Sequence, residues 1–176
     1  MHRFALSAVA FAALLSTSAC CSSTGNSCAV TDADQSTPTV LPVTRLRAEP
    51  YPLTFNSGIA VSARQVVTDA NTWGQVWGAI WQNHSPQPAL PQIDFASERL
   101  VLAALGTRSS GGYSIVVDSA YQHADHVEVV VHTTSPGTTC GTTAAITQPV
   151  DVARIPAGSL PVRYRERATV VVCPVP

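Results

Sequence analysis

Few residues of this chain are spaced for chemistry, and each candidate set is incomplete. Gly106 to Gly111 has the G-x-x-x-x-G spacing of a phosphate-binding loop. That chemistry also needs a lysine and a hydroxyl residue directly after the second glycine, to meet the phosphates and magnesium. Gly112 and Tyr113 stand there instead, so the reading fails. Ser114 is not framed as G-x-S-x-G and lacks the nucleophile elbow of that hydrolase class. His123, Asp125 and His126 crowd together, with His132 beyond. Such groups hold a metal only where a turn converges them, and a solvated hairpin turn with an outward histidine is the plainer reading. Asp94 and Glu98 offer two carboxylates, but directly before an apolar run they read as turn and cap. Arg163, Arg165 and Arg167 line one strand face. This stripe reads as a solvated face or as a contact for an acidic partner, and it is too short to indicate nucleic acid.

Composition narrows the classes further. All ten basic residues are arginine, which removes Schiff-base lysine chemistry. The formal net charge is −1, so no global field draws the chain to nucleic acid or to an acidic membrane. Charged residues make up 12%, against a usual share of roughly 25%. We expect no catalytic set, no metal and no cofactor. A chain of 176 residues suggests one domain with a real core.

The elements that would position a site are clearer. Leu100 to Leu105 is a continuous apolar run, the pattern of a strand buried on both faces. Gly106 ends it, and Thr107-Arg108-Ser109-Ser110-Gly111-Gly112 has no apolar side chain to bury. Tyr113 to Val117 resumes β character, with Tyr113, Ile115 and Val117 on one face. The result is a short polar loop braced by two strands, suited to presenting backbone to a partner. Upstream, Asp69 can cap a helix in which Trp73, Val76, Trp77 and Ile80 share a face that Trp81 widens. Gly74 and Gly78 weaken that helix, so it must rely on packing. Ile59 to Thr68, Val127 to Thr133, Ala145 to Ile155 and Val162 to Val172 complete the strands, with Pro149 arguing for an edge or bulge. The fold expected is mainly β with a minor α part: a small antiparallel β-sandwich or curled sheet with one amphipathic helix packed on it.

The amino end reads as export machinery. Residues 1–19 combine a weakly basic start with an apolar run too short to span a bilayer comfortably. Thr17-Ser18-Ala19 followed by Cys20 resembles a bacterial lipoprotein signal, in which Cys20 becomes the acylated amino terminus. The expected place is then the cell envelope, lipid-anchored and extracytoplasmic; cleavage without acylation gives a secreted soluble protein. Residues 20–48 read as a disordered tether rich in Ser, Thr, Asp and Pro, and residues 49–176 as the domain. Cys140 and Cys173 fall at strand ends and are expected to form a disulfide, while Cys21 and Cys28 either pair or stay free.

Several segments together resemble one family. Thr72 to Trp77, Ile93-Asp94-Phe95, Leu105 to Ser114 and Thr147-Gln148-Pro149 are similar to the PrcB-like protease complex subunit domain, over about residues 57 to 167. Ser109 stands where that family often has proline, and Val150 where an aromatic commonly follows Pro149. The resemblance implies an exported, often lipid-anchored accessory protein that stabilises or assembles a secreted protease complex, and no enzyme. The partner-binding surface expected from the polar, glycine-punctuated loop between the strands is Thr107, Arg108, Ser109, Ser110, Gly111, Gly112 and Tyr113, with Thr147, Gln148 and Pro149. The Thr107 to Tyr113 loop also resembles, more loosely, a protease-contacting loop of chagasin-type cysteine protease inhibitors. That likeness implies loop-mediated inhibition, with Ser135 to Gly141 and Thr147 to Pro149 as neighbouring loops.

Overall fold

A computed structural model describes residues 37–47 and 56–174, all within one compact unit, Gln35–Pro176. The expected signal (1–19), Cys20, Cys21 and Cys28 lie outside the described residues. In chain order come β1 (Thr39–Leu41), β2 (Thr44–Arg45), β3 (Ala63–Val67), α1 (Ala70–Trp81), β4 (Glu98–Ala104), β5 (Ser114–Gln122), β6 (Val127–Pro136), β7 (Val150–Pro156) and β8 (Val162–Val171).

The strands form two four-stranded sheets, ordered β1-β5-β6-β8 and β2-β7-β4-β3. The mainly β expectation holds, with one departure from antiparallel pairing. β8 runs parallel to β6, because β7 crosses to the other sheet between them. The β4 sheet is apolar on both faces, as its unbroken run requires. Leu100, Leu102 and Ala104 face the helix with Trp73, Trp77, Ile80 and Trp81. Val101, Ala103 and Leu105 face Ile115, Val117, Val129 and Val131 of the other sheet.

Helix α1 begins where the Asp69 side chain accepts the Thr72 N–H at 2.8 Å, satisfying one orphan donor of the first turn. The indole N–H groups of Trp73 and Trp77 donate to the carbonyls of Pro91 and Pro88, both at 3.0 Å. The proline-rich return segment therefore covers the tryptophan face and supplies the acceptors those buried indoles need.

One expectation is corrected. The tether expected over residues 20–48 gives way to structure before its end. β1 pairs with β5 and β2 with β7, so this segment adds an edge strand to each sheet. Its Ser/Thr/Pro-rich composition concealed Leu46, which is buried and donates its N–H to the Val152 carbonyl at 2.8 Å. Backbone pairing with one apolar anchor is enough to seat it. In β8, Val162, Tyr164, Glu166, Ala168 and Val170 alternate onto the side toward the core. Only Val162 and Tyr164 pack there, and Val170 is 60% exposed. The partners explain Glu166: it receives Arg64 Nε from β3 at 2.7 Å, and Tyr164 Oη donates to the Gln65 carbonyl at 2.7 Å. The inward side of β8 thus meets the polar edge of the other sheet.

Candidate functional site

The loop after β4 and the segment before β7 are distant in sequence and joined in space. Arg108 and Thr147 exchange both backbone hydrogen bonds, at 2.8 and 3.0 Å, as an isolated antiparallel bridge. Thr147 Oγ1 donates to the Ser110 carbonyl at 2.9 Å, and Gln148 Nε2 to Thr107 Oγ1 at 3.1 Å. Gly111 N–H donates to Thr143 O, and Thr107 N–H to Ala60 O, both at 3.0 Å. Leu105 N–H closes on Pro149 O at 2.9 Å. The loop is braced from both sides.

Glycine is required at two of these positions. Gly106 has φ +73°, and a Cβ there would meet Ser62 N at 2.7 Å and Ala60 O at 2.8 Å. Gly112 has φ +87°, a backbone state that residues with a Cβ adopt only with strain. Thr107, Ser109 and Gly112 remain exposed, while Arg108, Ser110, Gly111 and Tyr113 are half-buried. The Arg108 guanidinium lies over the Tyr113 ring, 5.8 Å from its centroid, within the range of a cation–π contact.

A cleft of about 340 Å³ opens beside this loop, lined by Gly111, Gly112, Tyr113 and Thr147 together with Asn56, Thr143 and Ile146. All ten expected docking residues thus fall in one neighbourhood, Pro149 as a buried support. Asn56, Thr143 and Ile146 were missed. Ile146 is 69% exposed, and as the one large apolar residue between Thr142 and Gln148 it carried the one legible signal. Pro136 and Thr142 flank Gly112, so the end of β6 also borders the site.

The other candidate sets sit elsewhere and pair internally. His126 Nδ1 meets Asp125 Oδ1 at 2.6 Å, Arg163 Nη2 donates to Asp125 Oδ2 at 3.2 Å, and His123 stacks on His126 with centroids 4.4 Å apart. The hydrogen bond from His126 holds the Asp125 carboxyl below its ordinary range, and the charges of His126 and Arg163 add to this. His132 bonds Thr169 instead. Among the described residues no group of three His, Cys, Asp or Glu gathers to hold a metal. Asp94 closes a turn, accepting Ala96 N–H at 3.1 Å and Ser97 Oγ at 2.7 Å. Glu98 meets Arg154, and Arg165 meets Glu128, so much of the arginine stripe is neutralised on its own face. Cys140 and Cys173 form the expected disulfide, tying the end of β8 to the turn after β6.

The braced loop, β5, β7 and all of β4 but Glu98 lie between Arg99 and Pro156. Residues 99–156 match the family model of the PrcB C-terminal domain. The PrcB C-terminal match is narrower than the span of about 57 to 167 expected from resemblance, and it leaves out α1, β3 and β8. No curated protein and no solved structure matches the chain.

Proposed function

We propose that this protein is a non-enzymatic accessory subunit that docks onto an exported protein, a protease or protease complex, through the 106–113 loop and its 147–149 support. The observation that carries the proposal is the brace itself: a polar loop fixed by the Arg108–Thr147 bridge, beside a cleft with an exposed isoleucine. A rigid loop loses little freedom on binding, which favours recognition. The PrcB C-terminal match supports the protease-complex setting. In the same reading Cys20 carries lipid, the protein resides in the cell envelope, and the membrane is met through that lipid alone. The descent of the loop pair to one end of a sandwich also favours a second reading, insertion into a cysteine protease cleft as an inhibitor.

The test leaves the structural glycines alone, because a Cβ at Gly111 would collide with Thr143 Oγ1. Ser109→Trp and Ile146→Asp change exposed side chains, and both variants should fold like the wild type by circular dichroism. We expect each to lose the partner that co-purifies with wild-type protein from its native membrane. Undiminished recovery with either variant would sink the docking proposal. Inhibition of a papain-like protease by the purified protein, absent in Ser109→Trp, would select the second reading. Labelling with an alkynyl fatty acid that persists in Cys20→Ser would remove the anchor.

A further inference from the structure

β8 leaves part of its border unprotected. It is the edge strand of the β1-β5-β6-β8 sheet, with β6 on one side and, among the described residues, no strand on the other. Edge strands are normally kept from recruiting another chain by charges, prolines or bulges. Arg163, Arg165, Glu166 and Arg167 guard the first part of β8, and the charges then stop. Ala168-Thr169-Val170-Val171-Val172, which runs one residue past the strand, holds no charge, glycine or proline, and every residue of it is exposed. Val170 and Val172 are 60% and 86% exposed. The hydrogen bonds also say which backbone groups the open border offers. Pro161 O accepts the Val127 N–H and Val171 O accepts the Gly137 N–H, both at 2.9 Å and both from β6 or its immediate end. Backbone groups two residues apart in a strand point the same way. The odd-numbered residues of β8 therefore bond β6, and Ala168 and Val170 turn their N–H and C=O to the open border.

We propose that an extended segment of a partner protein completes this border, added as an antiparallel strand along Ala168 to Val172, with β-branched apolar side chains on its inner face and a carboxylate opposite Arg167. In strand addition the main-chain hydrogen bonds supply affinity and the alternate side chains supply choice. The charge pattern selects the carboxylate. Arg163 meets Asp125 and Arg165 meets Glu128, whereas Arg167 meets no carboxylate among the described residues. A charge pair at Arg167 would also fix the register, which a run of valines alone leaves free to slip. A second copy of the chain fits poorly. Antiparallel pairing about Glu166 sets Glu166 against Glu166 and Arg165 against Arg167, and like charges directly opposite repel. Pairing about Val170 shares only Ala168 to Val172, a contact far smaller than the roughly 1,200 Å² of a stable interface. A partner chain has more surface within reach, because the open border ends beside the docking loop. Val171 bonds Gly137, next to the Pro136 that flanks Gly112. The Cys140–Cys173 disulfide holds this end of β8 in place, so little freedom is lost when a strand is added. That the partner is an exported protein rests on the docking reading; the strand addition itself does not.

The probe is the peptide acetyl-Val-Thr-Val-Thr-Val-Glu-amide, titrated into the isotope-labelled full chain and followed by NMR. We expect saturable shifts of the Ala168 and Val170 amides, slower hydrogen exchange at both, and weaker binding when lysine replaces the peptide's glutamate. Arg167→Glu changes an exposed side chain and should reverse that preference, which a merely structural role for Arg167 would not do. Val170→Pro removes an outward N–H and no bond to β6, so it should fold like the wild type and lose the peptide. Ser109→Trp should bind the peptide as the wild type does. Partner recovery with Ser109→Trp therefore judges the docking loop, and the peptide shifts judge the open border. The proposal is overturned by the absence of saturable shifts at Ala168 and Val170, or by equal binding of the glutamate and lysine peptides. A doubled mass in sedimentation that Val170→Pro abolishes would overturn it as well, since a second copy would then hold the border.

Discussion

The residue on which the two sheets converge is Asp151. It is 1% exposed, accepts Arg45 from β2, and also accepts the Val117 N–H of β5 at 2.8 Å, next to the bulge between Val117 and Ser119. Removing its cation leaves a buried carboxylate behind. Arg45→Ala should therefore cost about 3 kcal/mol at neutral pH, the low end for a broken buried pair, because Arg45 is 29% exposed. Urea unfolding reads this directly, and a loss below about 1 kcal/mol would show the pair to be worth no more than a surface one. Asp151 also sets a pH dependence. Burial pushes its carboxyl above the ordinary value of 3.8, against the pull of Arg45 and of the Val117 N–H. The folded chain then holds that proton to higher pH than the unfolded chain. Its contribution to stability is full below 3.8 and declines as pH rises toward the raised value. In Asp151→Asn the decline is absent, so wild type minus variant stability should fall as pH rises from below 3.8 toward neutral. A difference that is flat or grows over that range contradicts the assignment.

At the scale of elements, helix α1 offers the sharpest expectation. A Cβ added at Gly74 or Gly78 would meet nothing within 4 Å. Each Gly→Ala change should raise stability by about 0.5–1 kcal/mol through helix propensity alone, measured as a higher urea midpoint. Trp73→Ala should lower it by about 3–5 kcal/mol, since Trp73 is 1% exposed and bonds Pro91 O. This helix was legible in the sequence because its tryptophans repeat at helical spacing after a capping aspartate. β4 was legible for an equally local reason, an apolar run closed by glycine. What escaped was long-range. Nothing near Leu46 reveals that Val152 waits for it, and nothing near Glu166 announces Arg64 on another sheet. The docking loop was read from its glycines and lack of apolar side chains, but the cleft beside it needed Asn56 and Ile146 to arrive from other parts of the chain.

For the whole molecule, the boundary of the folding unit matters most. A chain begun at Glu49 would lack β1 and β2, uncover the edges of β5 and β7, and leave Asp151 without Arg45. We expect that truncation to be insoluble or molten and a chain begun at Gln35 to fold cooperatively, judged by dispersion of amide NMR signals. Cooperative folding of the shorter form would show the amino segment to be dispensable. The same arrangement has a kinetic side. Arg45 leaves the ribosome early, yet its ligand lies 106 positions downstream. β2 is therefore made long before it can settle, and refolding should be slow because so many partners are remote. A nascent sheet whose edge strand must wait for β7 stays open for as long as the residues between them are being synthesised.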